Sequence, residues 1–183
     1  LVGAVGTALL VFLAQHHLFG GGQVGVRALR TAQAKAALPF AQAFLLGMLC
    51  NTLVCMAVWL SLSSRQPAHR MIVIMLPIAA FVAAGFEHAV ANMYFIPFGL
   101  LIRSFAADAY WQAVGLDPAA FGALRIELVI RNLAAVTFGN IVGGAVLVAG
   151  VYWLLSRRGR AAGAACGGRR SLFRAAPLWG EPT

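Results

Sequence analysis

The stretch Gly85-Phe86-Glu87-His88-Ala89-Val90-Ala91-Asn92-Met93 sets an acid, a histidine and an amide inside an otherwise apolar run from Met71 to Leu101. Ionisable groups inside a bilayer are costly and persist where function or a partner keeps them. The bland alternative is that Glu87 and His88 merely satisfy each other at a kink. A plain anchor helix needs neither residue, so the central chemistry is read at His88. Length adds a second constraint. Residues 71 to 103 as one helix would measure about 50 Å, against a hydrocarbon core of about 30 Å. The run must break, and the glycine and three polar side chains of Gly85 to Met93 mark the place, with Pro97 and Gly99 loosening the second half. Irregular backbone at membrane depth is tolerated only where protein or a water-filled cavity satisfies it. The break is therefore expected to line a pathway, the alternative being a glycine kink with none. The second half-helix is expected to start near Asn92, its free N–H groups forming an end that attracts anions.

Composition agrees. Hydrophobic residues make up 61% of the 183 and charged residues 10%, with a mean hydropathy of +0.84, whereas soluble domains carry about 25% charge. That excludes a water-soluble core. Four segments are candidate spans: Leu1 to Gln15, Phe40 to Ser61, Met71 to Arg103 and Leu128 to Leu155. The first opens inside a helix with neither an initiator methionine nor a charged leader, so the chain is expected to be shortened at its N-terminus. Net charge is +9. Eight cations (Arg65, Arg70, Arg157, Arg158, Arg160, Arg169, Arg170, Arg174) fall on the face of the C-terminus and six (Arg27, Arg30, Lys35, Arg103, Arg125, Arg131) on the other. The positive-inside rule then places the C-terminus in the cytoplasm. Such charges belong to loops and a lipid-facing tail, and nucleic acid is not an expected partner.

Other chemistries find little support. The apolar segments hold no HExxH and no Gly-x-Ser-x-Gly, so an enzyme is not expected. His88 is the sole histidine at mid-depth, whereas haem normally takes paired axial ligands; no cofactor is expected. Cys50, Cys55 and Cys166 lack CxxC spacing, and no metal site is expected. His16 and His17 end the first segment, where interfacial solvation is preferred to metal binding. Asp108 to Ile130 reads as an outer connection with Tyr110 and Trp111 at the headgroup level.

An internal echo suggests a repeat. Leu1-Val2-Gly3-Ala4-Val5 resembles Ile141-Val142-Gly143-Gly144-Ala145-Val146, and both open glycine-containing apolar helices. Three-helix units in tandem are inverted relative to each other. The last three segments would then form a complete second repeat, with the first largely missing. Gly139 and Gly143 at i, i+4 serve close helix packing on the simpler reading.

Three stretches in order, Cys50-Asn51-Thr52-Leu53-Val54-Cys55-Met56-Ala57-Val58-Trp59, Gly85 to Met93, and Val136-Thr137-Phe138-Gly139-Asn140-Ile141-Val142-Gly143-Gly144, resemble the signature segments of the formate/nitrite transporter family. The resemblance runs from Leu1 to about Arg157. It implies an all-α integral membrane protein, an aquaporin-like inverted-repeat bundle with one of its two broken helices present here. Residues 1–158 would be the transmembrane channel domain, from the end of the family's third helix through its sixth, and 159–183 a basic flexible cytoplasmic tail. It further implies a homopentamer in a bacterial inner membrane, passing formate or, alternatively, nitrite or hydrosulfide. Met93-Tyr94-Phe95-Ile96-Pro97-Phe98-Gly99 looks closer to the formate branch. A non-conducting structural membrane subunit is the alternative of another class.

Residue by residue, the resemblance makes His88 the mid-pore histidine and Asn51 the asparagine facing it. Phe81 and Val54 become the apolar walls of a constriction, and Lys35 a vestibule lysine. Asn51 has the alternative of an interhelical hydrogen bond, Phe81 and Val54 of ordinary packing, and Lys35 of a solvated loop charge. Glu87 is expected to orient His88 or the broken backbone rather than touch substrate. The expected mechanism follows from desolvation. An anion stripped of water at the constriction takes a proton or strong hydrogen bond from His88 and crosses nearly neutral.

Overall fold

The protein is described from a computed structural model covering residues 1–63 and 65–157. The segment 159–183, expected to be a tail, lies outside the described residues. Helices α1 (Val2–Leu13), α2 (Gln23–Ala37), α3 (Phe40–Leu62), α4 (Pro67–Ala83), α5 (Ala89–Phe105), α6 (Asp108–Val114) and α7 (Ile126–Ile141) are joined by short 3₁₀ turns at His16–Leu18 and Pro118–Phe121. A π-helical stretch, Val142–Gly150, continues α7 into helix that runs to Arg157. No strand occurs among the described residues, so the all-α expectation holds.

The outer faces are apolar. Leu45, Val58, Met75, Leu76 and Leu154 all lie exposed, and no residue of α4 is buried. A helix apolar on its outward face matches lipid rather than water. Two helical runs are long and apolar enough to cross a bilayer, α3 and the one ending at Arg157, and a third if the bent pair α5 and α6 counts as one span. The chain turns 105° between α5 and α6.

The core has two parts. The larger joins Leu29 and Ala32 of α2 to Ile96 and Ile102 of α5, with Trp111 of α6 and Leu124 beside them. The smaller gathers Ala43 of α3, Ala89 of α5 and Ala135 and Val136 of α7, side chains small enough to let three helices meet at one point. Against it, α3 and α7 touch backbone to backbone. A Cβ on Gly139 would strike the Phe44 carbonyl and one on Gly143 the Met48 carbonyl. Small residues permit this approach, and the helix widens into its π stretch within it, at Val142 and Gly143.

Two expectations are corrected. Arg27, Arg30 and Lys35, expected in loops, are carried by a helix, Gln23–Ala37: Gly25, Val26, Leu29, Ala32 and Ala36 are buried along one stripe, while Arg27 and Arg30 lie on the exposed side. Tyr110 and Trp111, expected at the headgroup level, pack inside the protein, 4% and 7% exposed. The Tyr110 hydroxyl points at Gly22 O, 3.4 Å away. His17, expected to be solvated, is 6% exposed. It stacks on Phe12 at 5.0 Å and meets Tyr110 edge-on at 5.4 Å. Its Nδ1 has no partner, and burial lowers its pKa below the usual 6.5.

Gly143→Val should prevent the α3–α7 approach, since overpacking costs about 1–3 kcal/mol even in a yielding core and the obstacle here is backbone. Gly150→Ala, where an added Cβ meets Ala145 O at an ordinary 3.7 Å, should be tolerated; yield of monodisperse protein in detergent compares them. Because burial depresses the His17 pKa, its neutral form belongs to the packed state and its charged form to the opened one. The α1–α6 junction is then strongest above about pH 6.5 and weakens as pH falls below it. Hydrogen exchange across residues 14–26 should rise on acidification in the native chain and stay flat in His17→Phe.

Candidate functional site

The break in the long apolar run is where the sequence requires one, and its geometry is local. Gly85, at φ +67°, takes the left-handed position after α4. Its N–H reaches Val82 O at 3.1 Å, and the Phe86 N–H reaches Phe81 O at 3.0 Å. This paired closure satisfies the last carbonyls of α4. Residues 84–88 are non-helical, and α5 resumes at Ala89, three residues earlier than the expected start near Asn92. The resumption has a cause in Asn140 of α7, a residue not singled out from sequence. Its Oδ1 accepts from the Ala89 N–H at 3.0 Å, and its Nδ2 donates to Gly47 O at 2.8 Å and Glu87 O at 3.2 Å. One buried amide thus caps α5 and ties the broken backbone to α3.

Lys35, Glu87 and Asn92 meet beside the break. Lys35 Nζ donates to Glu87 Oε1 at 2.8 Å, with the lysine side chain 19% exposed and the glutamate 5%. Asn92 Nδ2 donates to Glu87 Oε2 at 2.6 Å and to Asn132 Oδ1 at 2.9 Å. Lys35 is therefore not a solvated loop charge. It sits in the last turn of α2, its charge neutralised by Glu87. The Glu87 carboxylate bonds Lys35 and Asn92, while the Glu87 carbonyl is held by Asn140.

His88 is half-buried in the position before α5, and Phe81 stacks against it with ring centroids 6.0 Å apart and planes 26° from parallel. Asn51 donates through Nδ2 to Asn140 O at 2.6 Å, a bond from α3 to the backbone carbonyl of the same residue whose side chain caps α5. Val54 lies three residues on from Asn51, on the same side of α3, and is half-buried. Phe81, His88, Glu87, Lys35 and Asn51 are thus drawn to one locality by two helix ends and α7. Asn92, Asn132 and Asn140 were legible only as polar residues within apolar helices, the signal that could have singled them out. Among the described residues no cluster of histidine, cysteine or carboxylate side chains is able to hold a metal.

Removing one member of the buried pair leaves the other charge uncompensated, which costs about 3–5 kcal/mol. Glu87→Gln and Lys35→Met should each lower thermal stability sharply. The double variant should recover much of the loss, and the four proteins compared by thermal unfolding in detergent form the cycle that tests it.

The family profile described as formate/nitrite transporter matches residues 1–154. Formate channel FocA of Escherichia coli (strain K12) is 43% identical over 159 residues, covering 86% of this chain and 56% of that protein. FocA of Haemophilus influenzae is 40% identical over 152 residues, covering 82% and 53%. The chain spans about half the length of these curated relatives. A solved structure described as "Pentameric formate channel with formate bound" superposes with a TM-score of 0.80 at 39% identity, over 84% of this chain and 61% of that one. An FNT family ion channel gives 0.64 at 29% identity, over 84% and 54%. With its broken helix, its helix-end asparagine and these matches, the chain belongs to the formate/nitrite transporter family, a family of membrane transporters rather than enzymes.

Proposed function

We propose that residues 1–158 form part of a channel for small monovalent anions, formate first, with His88 as the group that meets the anion at mid-depth. The observation that carries this reading is the interruption at residues 84–88, which sets a half-buried histidine, covered on one side by Phe81, at the start of α5. Formate is favoured because the similar proteins named above are formate channels. Nitrite and hydrosulfide share its charge and small size and are the competing substrates.

The side chains divide the task. Phe81 and Val54 supply apolar walls that strip water from the ion, and a bare carboxylate in such surroundings carries a large desolvation penalty. His88 offsets it by donating a proton or a strong hydrogen bond, and charge is restored as the ion leaves. The N-terminus of α5 adds a positive potential at the same depth. Asn51 holds α3 to α7 behind the histidine, and Glu87 with Lys35 fixes the backbone that carries it. Arg30, exposed on α2, raises the local concentration of anions.

Assembly and placement follow the same reading: a homopentamer in a bacterial inner membrane, multi-pass, the C-terminus cytoplasmic and residues 159–183 its basic tail. The test is anion uptake into liposomes by the full-length gene product. Formate should enter faster as pH falls, and His88→Phe or His88→Asn should flatten that pH dependence. Proton-linked uptake unchanged in both variants would sink the role given to His88; uptake of nitrite or hydrosulfide in preference to formate would reassign the substrate.

A further inference from the structure

Lys35 is four residues before Pro39. In a helix the Lys35 carbonyl would accept from the N–H at position 39, and proline has none. What remains is a long bond from the Leu38 N–H, 3.3 Å. The carbonyl left short of a partner belongs to the residue whose side chain pairs with Glu87. Asn132 of α7 supplies the missing donor, its Nδ2 lying 2.7 Å from Lys35 O. Its Oδ1 accepts from Asn92 Nδ2 at 2.9 Å. Asn92 in turn holds Glu87, and Glu87 holds the Lys35 ammonium. The bonds close a ring through α2, α7 and α5 that begins and ends on Lys35. Asn132 is 1% exposed and Asn92 is fully buried, so water cannot replace a missing link.

We infer that Asn132 is a positioning residue for His88, acting through this ring: it fixes both ends of Lys35, and through Lys35 it fixes Glu87, the residue whose backbone leads into the histidine. The inference rests on the role proposed for His88. The charged groups facing the ring are Lys35 from α2 and Glu87 before α5. On α7 itself, Arg131 turns away, its guanidinium donating to Leu38 O at 3.1 Å.

Two substitutions separate positioning from mere packing. The carboxyl introduced by Asn132→Asp keeps the acceptor for Asn92, but donates to Lys35 O only while protonated. Formate uptake by this variant should approach the native rate in acid and fall as pH rises, moving the midpoint of the pH profile acidward by about one unit. A native midpoint in correctly assembled protein would overturn the inference. Should Asn132→Asp fail to assemble, Asn132→Gln, with the same groups on a longer arm, is expected to displace the midpoint in place of it, and a native midpoint there overturns equally.

A second readout does not depend on flux. Lys35 is the sole lysine of the 183 residues, so a water-soluble amine reagent, with its product read by mass spectrometry on the peptide that holds Lys35, reports on it in the full-length protein. In Asn132→Leu, with the ring open, its modification should be about tenfold faster than in the native protein. An unchanged rate would refute the ring, whereas faster modification without any native formate uptake would keep the ring and refute only the role of His88.

Discussion

A chain that stops being helical within a bilayer leaves backbone donors and acceptors with no water to receive them, and the arrangement around residues 84–88 answers that constraint. Gly85 closes α4 on itself, and Asn140 answers for the start of α5. Asn140 stands on α7 at the level of the break because Gly139 and Gly143 let α7 lie against the backbone of α3. The small-residue seam and the break are therefore one device. Widen the seam, and the amide no longer reaches Ala89.

Charge is handled by the same economy of distance. Glu87 is paired at short range and its second oxygen is occupied by Asn92, the condition under which a buried carboxylate is tolerated. The pair is neutral as a unit. It anchors α2, which is amphipathic and lies against α5, to the one place where α5 would otherwise have a loose end. An ion pair so held fastens α2 to the broken segment.

Much of this was legible in the residues. The length of the run from Met71 to Arg103 demanded a break, and Gly85 located it. What misled was α2. Its polar face masked a buried stripe of small residues, Gly25, Ala32 and Ala36, which carry the helical period without the bulk that draws notice. Lys35 taken by itself consequently read as a loop charge, since its partner lies 52 positions away in sequence, and only tertiary packing brings them together. His17 misled in a similar way: a polar ring at the end of an apolar segment suits an interface, yet here it packs with Tyr110 under the bend between α5 and α6. The asparagines of the site were visible as letters, but their partners, backbone groups of other helices and side chains distant in sequence, are not displayed by a sequence.

The cap on α5 is an amide lent by another helix, and as capping groups asparagine and aspartate are about equally favoured. An aspartate in place of Asn140 would satisfy the Ala89 N–H equally well, but it would lay a full negative charge over the positive end of the helix. The neutral side chain closes the hydrogen bond and leaves the field of the helix standing. The same amide that makes the break structurally possible thus keeps the potential there attractive to negative ions and repulsive to cations, a sign discrimination written into the choice between two side chains of almost identical shape.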